Sequence, residues 1–565
     1  MLAKIKPIWI VLAAWFVLVA CLLPVREVMR PDEARFTQQA QEMRESRQWF
    51  MPTIGEVPNS EKPPVLFWLI NLAAVSQPHI SETAARIPSA LSALLVLLLV
   101  MRLGTRLWNS KEIGLAGALV LLTISGFFHR AQWVSCDMPL AAFSWITITL
   151  WREALFDDRK PGQSHDWLDR LSPRTKIALG WLAASLGTMT KGLGLVWPLM
   201  WIVAEAWSRR SWSPLKRLAQ PLGMALFVLP LSFWLWRFAA AAGADKVYSI
   251  VWGETALRYA AALNVVKPWY FYAYQLPVDL LPWSVFLPLI IVYAWRLRGR
   301  RGSDSADAVG GLACLGFIAL ALFFFSMSSG KRDVYLLPAY PVLALLIARS
   351  AMTLGTSWDL GLRQRTRGYL ALAGTALIPA VLLPLMVFLE SIPRLADAAS
   401  RVGSQVVATL ALGGVVVTMG ALAAYRTVKR DTTGLRALSQ AALGIGLFLL
   451  LVGIVGGRAA NRLQGGAAFG EQIRQVLPPE GRMAIERGKF ELFLYYSSRK
   501  GVEWEDPGEL QQELTSGRCE YALLRSETLN ELQDITALKR MSPLLTGDVG
   551  GAEYVLLGPG PVANR

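Results

Sequence analysis

Histidine and cysteine are nearly missing from this chain. Its 565 residues hold three histidines, His79, His129 and His165, and four cysteines, Cys21, Cys136, Cys314 and Cys519. The histidines are too scattered for a metal cluster. The cysteines have no metal-like spacing and two sit inside apolar blocks, so neither a zinc site nor a disulfide framework is expected. Charge is scarce as well: 17% of residues are charged against 54% hydrophobic, with acidic residues the rarer sign, 41 against 57 Lys and Arg. A soluble domain carries about 25% charged residues. With a mean hydropathy of +0.38, the chain reads as a polytopic membrane protein. The net charge of +16 does not point to nucleic acid, because the basic residues concentrate in short connections between apolar blocks, where they report topology.

The apolar blocks are long enough to cross a hydrocarbon core of about 30 Å, which takes roughly 20 helical residues. The first, Pro7 to Leu23, follows Lys4 and Lys6 and is followed by "PVREVMRPDE" rather than a small-residue cleavage pattern. It reads as a retained signal anchor. Thirteen spans are expected, at about 7–24, 86–101, 113–129, 138–151, 177–190, 192–207, 218–238, 277–295, 309–327, 334–350, 369–389, 404–425 and 437–457. With the N-terminus inside, the connections 102–111, 152–176, 209–217, 296–301, 349–367 and 426–436 all fall inside, each with at least three Lys or Arg, as the positive-inside rule requires. The outer face then receives the loop 25–85, the loop 239–276, the short turns near 136, 191 and 331, and everything after about 460.

Within the first outer loop, "EARFTQQAQEMRESR" has strong helix formers and too few apolar residues to insert, and "PPVLFWLINLAAVS" is apolar but short for a span. Both are expected as helices lying at the membrane interface. The last hundred residues change character. Short β-rich runs at 492–496, 521–524 and 554–557 alternate with polar helical patterns, which predicts a small soluble α/β domain. It carries no catalytic motif. The fold class is therefore an all-α polytopic membrane domain, residues 1–460, with a C-terminal α/β domain, residues 461–565.

The outer face collects the unusual polar residues. Asp32 and Glu33 stand in "RPDEARF" with Arg35, Glu61 and Lys62 in "SEKPP", and Asp137 in "SCDMPL". Lys191 stands in "MTKGLG", Glu254 and Arg258 in "GETALRYA", and Lys331, Arg332 and Tyr335 in "SGKRDVYLLPAYP". Ionisable groups at membrane depth cost roughly 2.5–3.5 kcal/mol on insertion scales and mark polar cavities. Carboxylates beside several cations suit activation of an acceptor while an anionic leaving group, in practice a phosphate, is held. Each residue also has an ordinary role open to it: Asp137 as an N-cap, Lys62 snorkelling, Lys191 facing water in a glycine turn, Glu254 as an i,i+4 partner of Arg258. The aromatic residues Trp252, Tyr259, Trp269, Tyr270, Tyr272, Tyr274 and Trp283 fit an interfacial belt better than a sugar platform.

These motifs carry a resemblance. The first outer loop, with its Asp-Glu pair and "EKPP", followed in order by "DMPL", "TKG", the Arg258 loop with "LPW", and "GKRDVYLLPAYP", resembles the GT-C type membrane glycosyltransferases that include aminoarabinose lipid A transferase and, more distantly, the protein O-mannosyltransferases. The resemblance covers residues 1 to about 350, and departs from the aminoarabinose pattern at Phe36, where Tyr is usual. It implies a periplasmic active site at the bacterial inner membrane and inverting transfer of a sugar from a polyprenyl (undecaprenyl) phosphate carrier to lipid A. It also implies Asp32 as the catalytic carboxylate with Glu33 its neighbour, and Asp137 as the second acidic site residue. Arg35, Lys62, Arg258, Lys331 and Tyr335 are implied as carrier-phosphate contacts. A protein Ser or Thr, or another envelope glycan, is the alternative acceptor. A lipid-linked sugar flippase is the reading from another class, but neither repeats nor mid-membrane helix breaks speak for it. An acidic pair can recruit a divalent cation, Mg or Mn, though no dedicated ligand cage is visible.

Overall fold

A computed structural model of the protein describes residues 6–29, 31–59, 61–157, 167–248, 250, 267–300, 305–354, 435–532 and 534–559. Helix α1, Pro7–Leu18, starts on proline, whose missing N–H costs nothing in a first turn, and continues into a 3-10 turn at Ala20–Leu22. Two helices of the first loop follow, α2 (Asp32–Ser46) and α3 (Val65–Ala73), separated by a hairpin of strands β1 (Thr53–Ile54) and β2 (Val57–Pro58). Helix α4 is Glu82–Trp108; the Ser81 side chain caps its first turn and Asn109, at φ 49°, ends it. At 1.5 Å per residue it is roughly 40 Å long, more than a bilayer core needs. Then come α5 (Lys111–Leu122), α6 (Ser125–Ala131), α7 (Asp137–Phe156), α8 (Pro173–Lys191), α9 (Val196–Arg209) and α10 (Pro221–Ala242). Further helices cover Phe271–Asp279, Leu287–Arg296, Ala306–Met327, Tyr340–Leu354 and Leu435–Gln464.

Among the described residues, five helices are long and apolar enough to cross a membrane, or up to seven if α5 with α6, bent by 72°, and Phe271–Asp279 with Trp283–Arg296, bent by 114°, each count as one span. Of the thirteen expected spans, 369–389 and 404–425 lie outside the described residues, and the others fall on helices. The interior of the bundle is packed around Trp145, Trp151, Trp197, Trp201 and Phe317, all at most 1% exposed.

The two ends of the bundle differ. Helix α4 runs from Arg86 to Arg102, and α7 from Asp137 to Glu153, while α8 returns from Lys176 to Lys191. At the far end Glu153 accepts from Arg102 at 2.5 Å and Lys176 at 2.9 Å, and Asp169 pairs with Arg102 at 2.7 Å. That network ties three helices together where the sequence pattern expects the inner face. The near end carries Asp137 and Lys191.

The C-terminal residues form a five-stranded sheet in the order β4-β3-β5-β7-β6, from β3 (Arg482–Glu486), β4 (Lys500–Trp504), β5 (Tyr521–Arg525), β6 (Met541–Val549) and β7 (Ala552–Pro559). Strands β4, β3 and β5 are parallel; β7 and β6 add antiparallel. The α/β reading holds, with one correction. The run at 492–496 is not a strand but part of the helix Phe490–Ser497. Its side chains Phe490, Leu492, Phe493, Leu494 and Tyr495 are all buried, because one face meets the sheet and the other meets the first loop. A short run that is apolar on every side has no periodicity to separate helix from strand.

The structure adds what covers α2. Its polar side chains Thr37, Gln38, Gln39, Gln41 and Glu42 are buried in protein, between α3 and the helix Phe490–Ser497. Gln41 accepts from the Ile80 N–H at 2.9 Å, and Glu42 accepts from the Thr53 hydroxyl at 2.7 Å and the Gly55 N–H at 2.8 Å. Among the described residues Gln39 Oε1 accepts no hydrogen bond.

Candidate functional site

Asp32 is the first residue of α2, where a carboxylate suits the unsatisfied N–H groups and positive dipole end of a helix. Its Oδ1 accepts from Arg35 Nη2 at 2.8 Å, one turn on, and its Oδ2 lies 3.7 Å from Arg332 Nη2. Arg35 also donates to Glu61 Oε2 at 2.6 Å. That bond joins "DEAR" to "EKPP" between residues 26 positions apart in sequence. Lys62 is buried, with its ammonium donating to the Glu61 carbonyl at 2.9 Å.

A second group sits beside the first. Asp137 opens α7 and pairs with Lys191, the last residue of α8; the Lys191 ammonium stands 5.1 Å from the centre of the Tyr335 ring. These three, with Leu140, Leu193, Trp197, Phe325, Val334 and Pro338, line a crevice of about 250 Å³ including its mouth. The two groups meet at Cys136, which precedes Asp137. Burial pushes its thiol up to about 12, and the charges of Lys62, Asp137, Lys191 and Asp32 all act on it. Polar carboxylates and cations thus edge a cavity with apolar walls, where charge interactions are stronger than in water.

Glu33 does something different from its neighbour. It is fully buried, and each of its oxygens is taken. Oε2 accepts from Arg26 at 2.5 Å and the Met29 N–H at 3.0 Å; Oε1 accepts from Arg86 at 3.0 Å and the Val134 N–H at 3.1 Å. Burial raises its pKa, but the Arg86 and Arg26 guanidinium groups outweigh that and hold the carboxyl below its ordinary value. Arg86, 1% exposed, also donates to the carbonyls of Leu23 at 2.9 Å and Glu27 at 2.7 Å. Glu33 is therefore the knot joining the loop 23–29, α4 and the turn at 132–134, and it presents no oxygen to a substrate.

The structure brings together Asp32, Arg35, Lys62, Asp137 and Tyr335. It does not bring Lys331 to them: that ammonium donates to the carbonyls of Ser328 in its own loop and of Lys267, 64 positions away, at 3.1 Å. A buried ammonium must find acceptors, and these carbonyls were nearer than the crevice. Its neighbour Arg332, half exposed, is the cation that faces Asp32. Arg258 and Glu254, with Trp252 and Tyr259, lie outside the described residues. Trp269, Tyr270 and Tyr274 are exposed while Tyr272 and Trp283 are core, so the aromatic group divides between a surface belt and packing. Sequence reasoning did not single out Arg86, and it left open for Lys191 the role of facing water, whereas the structure pairs Lys191 with Asp137. An arginine inside an apolar span was the available signal for Arg86; nothing local marked Arg332 over Lys331.

The donor set does not suit a divalent cation. Asp32 faces two guanidinium groups and Glu33 is consumed by two more, and among the described residues no group of three or more His, Cys, Asp or Glu is arranged to hold a metal.

Residues 10–297 match the family described as dolichyl-phosphate-mannose-protein mannosyltransferase. The chain is 29% identical over 338 residues to undecaprenyl phosphate-alpha-4-amino-4-deoxy-L-arabinose arabinosyl transferase 2 of Sodalis glossinidius, covering 59% of this chain and 58% of the relative. It is 28% identical over 448 residues to the arabinosyl transferase 1 of Pseudomonas fluorescens, covering 75% of this chain and 68% of that one. The match to the first of these thus spans less than two thirds of its length. Among solved structures, the crystal structure of ArnT from Cupriavidus metallidurans bound to undecaprenyl phosphate superposes with a TM-score of 0.77 over 98% of both chains, at 20% identity. That likeness concerns the fold.

Proposed function

We propose, from the premise that this chain belongs to the dolichyl-phosphate-mannose-protein mannosyltransferase family, that it is a membrane glycosyltransferase moving a sugar from undecaprenyl phosphate to a lipid A phosphate. Support for the carrier and the sugar class comes from the names of the relatives, which are arabinosyl transferases acting from undecaprenyl phosphate. The observation that carries the reading is the framing of one accessible carboxylate by cations: Asp32, with Arg35 at 2.8 Å and Arg332 at 3.7 Å, beside Lys62 and the Asp137–Lys191–Tyr335 crevice.

The chemistry follows from charge. An acceptor phosphate oxygen attacks the anomeric carbon from the face opposite the carrier. The bond from that carbon to the carrier phosphate oxygen breaks, and polyprenyl phosphate leaves with the electron pair, inverting the centre. Arg35, Lys62, Lys191 and Arg258 are the cations for the phosphate that leaves, and Tyr335 is its hydroxyl donor. Asp32 stabilises positive charge developing on the sugar. An ionised phosphate acceptor needs no base, whereas a hydroxyl acceptor would give its proton to Asp32. Glu33 acts by holding Asp32 in place. Lys331 supports the loop that presents Arg332. No step is routed through Mg or Mn.

The rest of the reading is topological. The N-terminus lies inside, thirteen spans cross the inner membrane, and the loop 25–85 and residues 461–565 face the periplasm. A second acceptor, a protein Ser or Thr, is kept because the family description names protein mannosyltransferases. The test is mass spectrometry of lipid A from cells with the gene, without it, and complemented by Asp32→Asn. A sugar on a lipid A phosphate that depends on Asp32 is the expected result. An unchanged lipid A profile across all three would overturn the acceptor, and full transfer by Asp32→Asn would overturn the mechanism.

A further inference from the structure

The segment that bears Asp32, Arg35 and Lys62 is fastened on both sides to the C-terminal sheet domain. Upstream, Glu27 Oε2 accepts from the N–H groups of Gly466 at 2.9 Å and Ala467 at 3.0 Å. It thereby caps the first helix of that domain, Ala467–Val476. One residue on, the Val28 N–H donates to the Tyr496 hydroxyl at 3.0 Å, and Tyr496 in turn donates to Glu82 at 3.2 Å. Tyr495 donates to the Ile80 carbonyl at 2.7 Å. Val28 and Ala34, both fully buried, belong to the same apolar cluster as Phe469, Phe490 and Phe493.

Downstream, the β1–β2 hairpin inserts its tip against the sheet. Glu56 pairs with Arg482 of β3 and with Lys500 of β4, the latter at 2.7 Å. The hydrogen bond from Lys500 leads in holding the Glu56 carboxyl below its ordinary value. Gly55 at φ 59° leaves room for no side chain: a Cβ there would come 2.7 Å from the Gly501 carbonyl oxygen. The hairpin is also held by the buried Glu42 carboxylate, which accepts from the Thr53 hydroxyl and from the Gly55 and Glu56 N–H groups of the turn. Five residues after Glu56 comes Glu61, the partner of Arg35.

We infer that the C-terminal domain is a clamp for the reacting loop, with Glu27 and Glu56 as positioning residues that set Asp32 and the phosphate contacts respectively. The inference rests on the glycosyltransferase reading for its kinetic consequences and not for the clamp itself. The division of labour follows from chain distance. The upstream tie lies five residues before Asp32, so it governs the chemical step. The downstream tie lies six residues before Lys62 and controls Glu61–Arg35, so it governs capture of the carrier phosphate. Displacement of about 1 Å in such a contact costs up to 10²-fold in rate.

The test uses the full-length protein in nanodiscs. Glu56→Lys is expected to raise KM for undecaprenyl-phosphate-linked donor roughly tenfold with kcat nearly unchanged, and the swap Glu56→Lys with Lys500→Glu and Arg482→Glu to restore it. Glu27→Gln is expected to lower kcat roughly tenfold at unchanged KM. Hydrogen exchange, read without substrate, is expected to rise in residues 53–62 for Glu56→Lys and in residues 26–33 for Glu27→Gln. Wild-type exchange in both segments overturns the clamp, as does a kinetic loss that the charge swap leaves unrestored. A wild-type protein with no transferase activity defeats the glycosyltransferase reading, while the exchange data still decide the clamp.

Discussion

Asp32 and Glu33 are adjacent carboxylates with opposite uses, and Glu33→Gln separates them. The amide keeps the shape of the side chain but removes its negative charge, leaving Arg86, 1% exposed, and Arg26, 17% exposed, without a counter-charge. It also sets an NH2 against donors that now meet an acceptor: four side-chain and two backbone N–H contacts converge on the carboxylate. Breaking a buried ion pair by removing one partner costs about 3–5 kcal/mol, because a buried charge is left uncompensated. Asp32→Asn breaks pairs whose side chains are 18–19% exposed at Arg35 and 51% at Arg332, where such pairs are worth about 0–1 kcal/mol. The assay is unfolding of the purified protein in detergent, followed by tryptophan emission, since Trp133 lies 4.4 Å from the Arg26 guanidinium. Glu33→Gln is expected to lose stability heavily while Asp32→Asn unfolds like wild type and loses transfer. A double variant with Arg86→Gln should cost less than the sum of the two single changes, by about 0.5–3 kcal/mol. Glu33→Gln within about 1 kcal/mol of wild type would refute the knot, since no satisfied buried carboxylate of this kind can be neutralised so cheaply.

The same carboxyl predicts an acid limit. Its folded pKa lies below the ordinary 4.5, so its contribution is fully present above that value and is lost as pH falls through the folded pKa; wild type should lose stability more steeply than Glu33→Gln below about pH 4.5. Lys191→Met should cut transfer by about 10²-fold, by analogy with removal of one oxyanion donor, and should also lower the unfolding temperature, because it leaves the buried Asp137 carboxylate without its partner. Arg332→Ala should raise donor KM more than it lowers kcat, because the side chain is half exposed and faces only one edge of Asp32. Gly55→Ala should destabilise by about 1–3 kcal/mol through its left-handed backbone, read as easier proteolytic release of the C-terminal domain.

Much of this site was legible beforehand, for a specific reason. Asp32, Glu61 and Lys62, Asp137, Lys191 and Tyr335 stand at the ends of apolar runs, where a charge has no ordinary reason to be clustered on one face. Period and composition located α2, α3 and the helices that carry those ends. What failed were choices between neighbours. Glu33 and Asp32 are equally acidic in sequence, and so are Lys331 and Arg332 equally basic. Which of each pair is left accessible depends on the direction of a helix's first turn and on which carbonyls lie within reach of an ammonium. The helix Phe490–Ser497 was misread because burial on all sides erases the periodicity that would identify it. That protein covers the polar side chains of α2 was not legible, because sequence cannot tell polar residues covered by protein from polar residues covered by water.

By itself the sequence determined that the chain is a helical membrane protein whose ionisable groups stand at the ends of its apolar runs, because insertion of a charge into hydrocarbon is too costly to occur without a purpose. It also determined that an α/β unit closes the chain. Only the tertiary structure decided that this unit grips the Asp32 loop from both sides, that Arg86 and Arg26 spend Glu33 on architecture, and that Lys191 reaches Asp137 from another helix. Apart from the Arg26–Glu33 bond, those are contacts between residues tens to hundreds of positions apart, and their existence depends on packing geometry that no local pattern encodes.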